Sequence, residues 1–284
     1  MYRIAEKKNL TEDIIMLGVE APHITKNARA GNFIVVINDE KGERVPLTIY
    51  DWNPQKGIVY MVFQTVGTST YKLGQREVGE SIFAIAGPLG RPFEVNKYGN
   101  VVIIGGGVGV PAIFPIARSL KEAGNKVTSI MGFRTKGLII LEEEMKSVSS
   151  ELKLATNDGS KGVKGLVTDV LQSMIDAGEK IDLVIAIGPA IMMKVVSDLT
   201  RKYNLKTIVS LNAVMVDASG MCGGCRVTVK DKVFYSCVDG PDFDGHDVDF
   251  DELMSRQAAY KPEEAQSLNH CRLNGIINKA EKNG

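Results

Sequence analysis

The sequence has no excess of charge of either sign. Its 34 Lys and Arg residues balance 34 Asp and Glu residues, and no basic block stands out along the 284 residues. Binding to nucleic acid or to an anionic membrane surface needs a concentrated positive field. We therefore expect small ligands and protein partners, with no nucleic acid and no membrane among them.

Long apolar runs are also missing. The longest uncharged stretch, 101–117, approaches the length of a membrane span, but glycines and prolines interrupt it repeatedly. This interruption favours a buried strand that is followed by a turn and a helix. The first ten residues are charged and lack the apolar segment of a secretion signal. We therefore expect a cytoplasmic protein.

Cysteine is scarce, yet three of the four cysteines lie close together as Cys222-x2-Cys225-x11-Cys237. Asp217 precedes Cys222 by the interval that separates the first two cysteines of a plant-type [2Fe–2S] loop. The glycines between these residues allow the loop to wrap closely around a cluster and to point backbone N–H groups at its sulfurs. The spacing predicts Asp217, Cys222, Cys225 and Cys237 as the ligands of a [2Fe–2S] cluster.

Two other uses of these cysteines stay open at this point. A zinc site could be built from the three cysteines and His246, because Cys-x2-Cys also begins zinc sites. A disulfide fits least, because it would leave one cysteine of the trio over and the chain is expected to be intracellular. The fourth cysteine, Cys271, fits no cluster spacing and is interpreted as a packed or free thiol.

The order of short apolar segments predicts three regions. Residues 1–98 read as short strands between turns, which is typical of an antiparallel β-barrel. Residues 99–210 alternate apolar strands with helical segments and therefore predict a parallel sheet that is covered on both faces. Residues 211–284 hold the cysteines, an acidic stretch over 238–253 and a tail. We interpret the acidic stretch as a solvated loop or a partner surface, and we expect the tail to be helical from Pro262 and then frayed.

A glycine-rich turn follows the first predicted strand of the second region. Gly107-x-Gly109-x-x-Ala112 matches the dinucleotide fingerprint, in which glycines let the backbone approach a pyrophosphate at a helix start. Pro111 suits the first helical turn. The predicted contacts are Gly105, Gly106, Gly107, Val108, Gly109, Val110 and Pro111.

Weaker indications of cofactor contacts follow this turn along the sequence. The second strand ends at Arg134 without an acid that could hold a ribose 2′-hydroxyl, so Arg134 could favour a 2′-phosphate or could be a solvated loop cation. The choice between NADH and NADPH therefore stays open. A later strand ends in Gly188, Pro189 and Met192, which could form a second contact or an ordinary turn. Asp158 is included among the predicted cofactor contacts.

The first region contains two elements that could hold a flavin. Pro46, Leu47 and Thr48 place a hydroxyl beside a proline-stiffened backbone, and residues 66–70 offer hydroxyls and a glycine to a phosphate. Either pattern alone is common strand or turn chemistry. The predicted contacts of the second element are Val66, Gly67, Thr68, Ser69 and Thr70.

The order of these motifs along nearly the whole chain resembles the ferredoxin-NADP reductase-like family. Within it the chain is similar to the branch that includes the electron-transfer subunit of dihydroorotate dehydrogenase and the small subunit of NADH-dependent ferredoxin:NADP oxidoreductase. Asp217, in place of a fourth cysteine, favours the second type. One mismatch concerns the family's Arg-x-Tyr-Ser/Thr motif, because Arg44 stands one residue too early and Leu47 replaces the tyrosine.

The resemblance implies a fold, a set of cofactors and a partner. FAD would contact residues 46–48 with its isoalloxazine and ribityl groups and residues 67–70 with its pyrophosphate, whereas residues 105–111 and 188–192 would hold NAD(H), or NADP(H). Electrons would pass through FAD and the [2Fe–2S] cluster to or from a larger subunit of a heterodimer that handles NADP(H) and ferredoxin by electron bifurcation. The alternatives are the electron-transfer subunit of dihydroorotate dehydrogenase and a zinc-stabilised, nucleotide-binding regulatory module.

Overall fold

The computed structural model describes residues 1–282, and the side chains of residues 1–273. Its first part is an antiparallel sheet of seven strands in the order β6-β1-β2-β5-β4-β3-β7. The strands are β1 Tyr2–Asn9, β2 Ile14–Glu20, β3 Phe33–Ile37, β4 Arg44–Asn53, β5 Ile58–Gln64, β6 Ser81–Ile82 and β7 Ala84–Leu89, with helices α1 Pro22–Thr25 and α2 Thr68–Gly74 between them.

This first sheet curls into a half-barrel. Its edge strands β6 and β7 are separated in sequence by Phe83 alone, so the two edges of the sheet must lie side by side. Alternate residues point inward, and Leu17, Ile34, Ile49 and Met61 are fully buried there. The period-two pattern of these strands therefore builds the predicted antiparallel barrel-type domain.

The second sheet also has seven strands, in the order β11-β10-β9-β8-β12-β13-β16. Its strands are β8 Asn100–Gly106, β9 Lys126–Phe133, β10 Glu151–Thr156, β11 Val163–Lys164, β12 Leu183–Ile187, β13 Thr207–Ser210 and β16 Asp242–Asp244, and its helices are α3 Val110–Glu122, α4 Glu142–Val148, α5 Val167–Asp176 and α6 Ala190–Lys202. All neighbours are parallel except β13 and β16. This confirms the predicted parallel sheet.

The strand order fixes where this second sheet can bind a ligand. The chain builds outward from β8 through β9 to β10 and then crosses to β12 on the other side of β8. Ligands of open α/β sheets bind at the carboxyl ends of the strands where the order reverses. The fold therefore places the β8–α3 turn and the β12–α6 turn together at that crevice.

The third part follows β13 and remains attached to the second sheet. It contains the hairpin β14 Arg226–Val229 and β15 Lys232–Tyr235, α7 Ser236–Asp239, strand β16, α8 Phe250–Ala258 and α9 Lys261–Lys282. The acidic stretch is therefore not a loop, because the end of α7, strand β16 and the start of α8 lie within it, and Phe250 and Leu253 are buried. The region boundaries at 98/99 and 210/211 stay predictions.

Helix α9 carries the tail back to the first part of the chain. Ser267 and Thr68 of α2 share a hydrogen bond of 2.9 Å between their hydroxyls. Arg272 lies over the ring of Tyr71, 5.5 Å from its centroid. The tail is helical as expected, and the extreme end, where fraying was expected, lies outside the described residues. Over residues 1–282, no helix combines the length and the apolar character that crossing a membrane would require.

Candidate cofactor and iron–sulfur sites

The two glycine-containing turns at the crevice contact each other. A Cβ on Gly109 would lie 2.2 Å from the carbonyl oxygen of Ile187, so only glycine lets the β8–α3 turn pack against the end of β12. Gly107 has a φ of +53°, and a Cβ there would meet nothing within 4 Å. The first of these glycines therefore serves packing, and the second presents its backbone to the cavity, as a dinucleotide-binding turn requires.

A cavity of about 1350 Å³ opens along this crevice, and residues of both sheets line it. Its volume exceeds the few hundred to about 1,000 Å³ of ordinary small-molecule pockets. The predicted cofactor contacts that line it are Pro46, Leu47, Thr48, Val66, Gly106, Gly107, Val108, Gly109, Arg134, Gly188, Pro189 and Met192. The space and the glycine backbone fit an extended dinucleotide, and Pro46, Leu47 and Thr48 of strand β4 line the same cavity.

Three predicted residues of the β8–α3 turn lie beneath this surface. Gly105 is the last residue but one of strand β8, and a Cβ there would press on Ile113 and Val110. Val110 and Pro111 begin helix α3 and are buried. They shape the turn from below, whereas Gly106 to Gly109 line the cavity itself.

The hydroxyls of residues 68–70 already have protein partners. Thr70 accepts the amide hydrogen of Gly67 at 3.1 Å, Ser69 donates to the Glu43 carboxylate, and Thr68 bonds to Ser267. Gly67 to Thr70 form the start of α2 beside Val66, which reaches the cavity. Their geometry supports a capped turn at the cavity mouth, and their role toward a phosphate stays a prediction.

Arg134 and Asp158 lie next to each other just after the carboxyl ends of strands β9 and β10. Asp158 donates its amide hydrogen to the carbonyl oxygen of Arg134 at 3.3 Å. Its carboxylate accepts hydrogen bonds from the hydroxyl and the amide of Ser160, which hold the pKa of Asp158 below its usual value. Arg134 lines the cavity, whereas Asp158 stabilises the loop next to it.

The cavity also has walls that the sequence reasoning missed. Residues 210–213 begin at the last residue of β13 and lie at the same edge of the sheet, and Met254, Gln257 and Lys261 reach the cavity from α8 and α9. The first group could have been found by extending the strand-end argument to the next strand. The second group carried no local signal, because it depends on how the tail folds back.

The four predicted cluster ligands lie in two contacting pairs. Asp217 accepts the amide hydrogen of Ser219 at 2.9 Å, and this bond, together with the neighbouring Cys222 thiol, lowers the pKa of the carboxyl. Cys237 donates its amide hydrogen to the sulfur of Cys225 at 3.5 Å. Burial first, and the Cys225 thiol second, raise the pKa of Cys237 to about 12. Among the described residues, no three potential ligands lie close enough together to hold a metal ion.

The donor set and the loop conformation fit a cluster with two irons. Each pair supplies two of the anionic donors that such a cluster needs, with Cys222 exposed and Cys225 and Cys237 buried. Ala218, Gly220 and Gly223 have φ values of +58°, +80° and +69°, which curl the loop. The Gly224 amide points at the Cys222 sulfur at 3.4 Å. The loop therefore shows the N–H-to-sulfur contacts expected around a cluster.

His246 has a different partner from the one that the zinc alternative requires. Its Nε2 lies 2.9 Å from the Thr200 hydroxyl of α6, and its carbonyl accepts a hydrogen bond from Arg201. Thr200 in turn accepts a hydrogen bond from Thr207. This partly buried network ties the residues after β16 to helix α6 and occupies the His246 side chain. Cys271 lies within α9, outside the cluster loop.

The fold and the two sites define a class of protein. A curled antiparallel sheet, a parallel sheet with a dinucleotide-type turn and a cysteine loop are the parts of a ferredoxin-NADP reductase-like protein with an iron–sulfur segment. Residues 212–249 match the model of the iron-sulfur cluster binding domain of dihydroorotate dehydrogenase B. The solved structure of phthalate dioxygenase reductase shares the fold, with a TM-score of 0.57 at 15% identity over 80% of this chain and 85% of that one.

Whole-chain comparisons narrow the class. The chain is 45% identical over 264 residues to the dihydroorotate dehydrogenase B (NAD(+)) electron transfer subunit homolog of Thermotoga maritima, covering 93% of both chains. It is 42% identical to a chain in the solved structure of NADH-dependent reduced ferredoxin-NADP oxidoreductase, with a TM-score of 0.90 over 95% of this chain and 97% of that one. The protein belongs to the family of dihydroorotate dehydrogenase B-type electron transfer subunits, and the reductase-like resemblance is confirmed.

Proposed function

We propose that this chain is the flavin and iron–sulfur subunit of an electron-bifurcating NADH-dependent ferredoxin:NADP oxidoreductase. It carries electrons between NAD(H), FAD and a [2Fe–2S] cluster, to or from a larger subunit that handles NADP(H) and ferredoxin. The observation that carries this proposal is the Asp217 carboxyl beside Cys222, next to the buried Cys225–Cys237 pair. The likeness to the solved oxidoreductase chain supports the same choice.

The residues of the cavity have separable tasks in this proposal. The β8–α3 and β12–α6 turns bind the nicotinamide dinucleotide, because Gly109 brings them into contact and Gly107 leaves its backbone open. Strand β4 presents Pro46 to Thr48 to the flavin. When bound, FAD supplies the conversion between hydride transfer and single-electron transfer. The protein's task is then to hold these cofactors in register and to exclude water from the apolar wall.

The surface around the cysteine loop supports a protein partner. Val216, Met221 and Val238 are 61%, 87% and 41% exposed, which is high for apolar residues of one small region: Val216 and Met221 lie in the loop, and Val238 packs beside its Gly220. Exposed apolar groups beside an exposed Cys222 fit a surface on which a partner approaches the cluster closely. We place this complex in the cytoplasm and expect a heterodimer.

The second candidate is the electron-transfer subunit of an NAD-linked dihydroorotate dehydrogenase. The observation that favours it is the likeness to such subunits, for example 32% identity over 252 residues to that of Shouchella clausii, covering 84% of this chain and 94% of the relative. Both candidates share NADH oxidation, FAD and a cluster. They differ in the partner that receives the electrons.

Anaerobic purification of the complex from its native source tests the proposal. We expect visible and electron paramagnetic resonance spectra of flavin and a [2Fe–2S] cluster, reduction of both by NADH, and a larger subunit that carries further flavin and [4Fe–4S] clusters. Co-purification with a dihydroorotate-oxidising enzyme would establish the second candidate instead. A colourless protein that contains zinc and lacks flavin would contradict both.

A further inference from the structure

Two arginines from distant parts of the chain hold the cluster loop at its two ends. Arg44 of β4 donates from Nη1 to the carbonyl oxygen of Asp217 at 3.4 Å. Arg256 of α8 donates from Nη2 to the carbonyl oxygen of Gly224 at 2.9 Å. The two bonded carbonyls lie at the first ligand position and next to Cys225. The loop is therefore attached at one end to strand β4 of the first sheet and at the other end to helix α8.

Both arginines project from elements that also line the cavity. Strand β4 presents Pro46, Leu47 and Thr48 to the cavity, beginning two residues after Arg44. Helix α8 presents Met254 and Gln257, which flank Arg256 in sequence. Each arginine thus connects a wall of the cofactor cavity directly to the ligand loop.

The neighbouring contacts hold these two attachments in place. Glu43 accepts a hydrogen bond from Ser69, which ties the start of β4 to α2 at the cavity mouth. Gln257 donates to the carbonyl oxygen of Asn212 at 2.8 Å, which ties α8 to the segment that leads into the ligand loop. The side chain of Arg256 is half-buried, whereas that of Arg44 is exposed. Arg256 is therefore the more rigid of the two attachments.

The positive charges of Arg44 and Arg256 both act to raise the reduction potential of a cluster on this loop. A cluster gains negative charge when it is reduced, so a fixed positive charge nearby stabilises the reduced form and raises the reduction potential. The planar guanidinium also fixes the position of the carbonyl that it contacts, which a lysine cannot do as well. The same contacts therefore have two effects that can be measured separately: they fix the position of the cluster loop, and they raise the reduction potential of the cluster.

We propose that Arg44 and Arg256 are positioning residues that fix the cluster loop relative to the flavin cavity and raise the reduction potential of the cluster. This inference rests on the proposed function, because it requires a cluster on this loop. It also gives Arg44, which stands outside the register of the family motif, a role toward the loop in place of one toward the flavin. Neither arginine is a cluster ligand in this scheme.

The test compares Arg44→Gln, Arg256→Gln and the double variant with the wild-type complex. Redox titrations followed by electron paramagnetic resonance should show a negative shift of the cluster potential in each single variant, and a larger one in the double variant. The flavin potential should stay unchanged. The shift of Arg44→Gln should shrink at high ionic strength, because its charge is exposed. Iron release to a chelator should be about tenfold faster in Arg256→Gln, since a hydrogen bond from a charged donor contributes a factor of this order.

Three matched variants separate charge from position. Arg44→Lys and Arg256→Lys should restore most of the cluster potential but not the wild-type line shape or iron retention. Lys41→Gln removes an exposed cation from the turn before β4 and should leave the cluster potential unchanged. A potential and iron release in Arg44→Gln and Arg256→Gln equal to those of Lys41→Gln would overturn the inference. A shift of the flavin potential alone would overturn it as well.

The same samples distinguish this inference from the proposed function. A wild-type complex without a [2Fe–2S] spectrum would refute the proposed function, and with it the role of both arginines. A wild-type complex with a normal spectrum, together with unaltered arginine variants, would refute only the positioning role.

Discussion

At the scale of single residues, Asp217 sets this loop apart from an all-cysteine loop. Its carboxyl accepts the Ser219 amide hydrogen and lies beside the Cys222 thiol. An oxygen donor is harder than a thiolate and donates less electron density to iron. It can also take up a proton, which a cluster-bound thiolate does far less readily. As the proposed ligand, Asp217 would give the cluster a reduction potential that depends on the protonation of this carboxyl.

The first prediction replaces this ligand. Asp217→Cys should lower the cluster potential, because thiolate stabilises the oxidised iron, and should weaken the dependence of the potential on pH. A redox titration at several pH values, with the visible spectrum recorded at each, measures both effects. Asp217→Ser, which keeps an oxygen donor, should lie closer to the wild type. Unchanged titrations and spectra in Asp217→Cys would remove Asp217 from the ligand set.

Asp242 is a second unusual carboxyl, at the junction of the three parts of the chain. It pairs with Ser210 across β13 and β16, and both carboxyl oxygens are buried without a partner at normal hydrogen-bond geometry, the Ser210 hydroxyl being only a weak neighbour. Its Oδ2 lies 3.4 Å from where a Cβ on Gly31 would be. Burial raises the pKa of Asp242 to about 7, against a smaller lowering effect of the Ser210 hydroxyl. The folded protein therefore keeps this proton to a much higher pH than an unfolded chain does.

The second prediction is the pH dependence that follows. An aspartate in an unfolded chain loses its proton near pH 4, so the contribution of Asp242 to stability is fully present below about pH 4. It is lost as the pH rises through about 7. Asp242→Asn should abolish this loss and should be more stable than the wild type above about pH 8, by up to about 4 kcal/mol for a shift of about three pH units.

Chemical unfolding across this pH range measures the difference between the two proteins. Asp231→Asn is the control, because Asp231 is exposed in a left-handed turn that suits asparagine equally well. It should follow the wild-type curve throughout. Parallel curves for Asp242→Asn and the wild type would show that Asp242 titrates normally.

At the scale of elements, the β8–α3 turn contains a glycine that cannot accept a side chain, unlike a glycine elsewhere in the same sheet region. Gly109 touches the backbone of β12, whereas Gly137 lies in a loop where a Cβ would only approach Thr135 at 3.9 Å. Gly109→Ala should therefore push the turn away from β12, cost about 2 kcal/mol or more of stability, and weaken NADH binding at least about tenfold. Gly137→Ala should change neither.

Thermal unfolding and NADH titration of both variants test this prediction. A Gly109→Ala protein that binds NADH with wild-type affinity would show that the turn can move without losing the dinucleotide site.

The elements also show how much the sequence can predict. The strand and helix alternation of 99–210 and the fingerprint at Gly107 and Gly109 follow local rules, so the parallel sheet and its crevice were predictable. Strand β16 was not, because Asp242–Asp244 read as part of an acidic loop and become a strand only by pairing with β13. The cavity wall from Met254 to Lys261 likewise depends on tertiary folding of the tail.

At the scale of the whole molecule, a small cluster of side chains joins the two sheets. Arg118 of α3 lies 2.8 Å from the Asp51 carboxylate and stacks on the rings of Trp52 and Phe114, each with its centroid at 5.3 Å. Tyr50 packs on Phe114 with ring centroids 4.9 Å apart. The Arg118 side chain is 29% exposed, so its contacts are partly shielded from water. This cluster fixes the angle between the barrel and the dinucleotide-binding sheet.

The fourth prediction concerns this joint. Arg118→Ala should cost about 1–2 kcal/mol of stability, from one partly shielded ion pair and its aromatic contacts. It should slow flavin reduction by NADH more than it weakens NADH binding, because the proposed nicotinamide and flavin contacts belong to different sheets. Stopped-flow reduction at several NADH concentrations separates the rate from the affinity. Arg118→Lys keeps the charge without the planar stack, so its stability and its rate of flavin reduction should lie between those of the wild type and of Arg118→Ala. Equal losses in rate and affinity would indicate that Arg118 acts on the dinucleotide site alone.

Strand β4 runs Arg44–Asn53 and meets every site in turn. Its first residue contacts the cysteine loop, its middle lines the cavity, and its last residues, through Asp51 and Trp52, contact helix α3. One strand therefore connects the three regions in which we predict the cluster, the flavin and the dinucleotide. Because side chains alternate between the two faces of a strand, one inserted or deleted residue within β4 would turn the contact residues that follow it to the opposite face. A change of even one residue in this strand would therefore move the contacts at one of its ends out of line with those at the other, and the predicted cofactor sites with them.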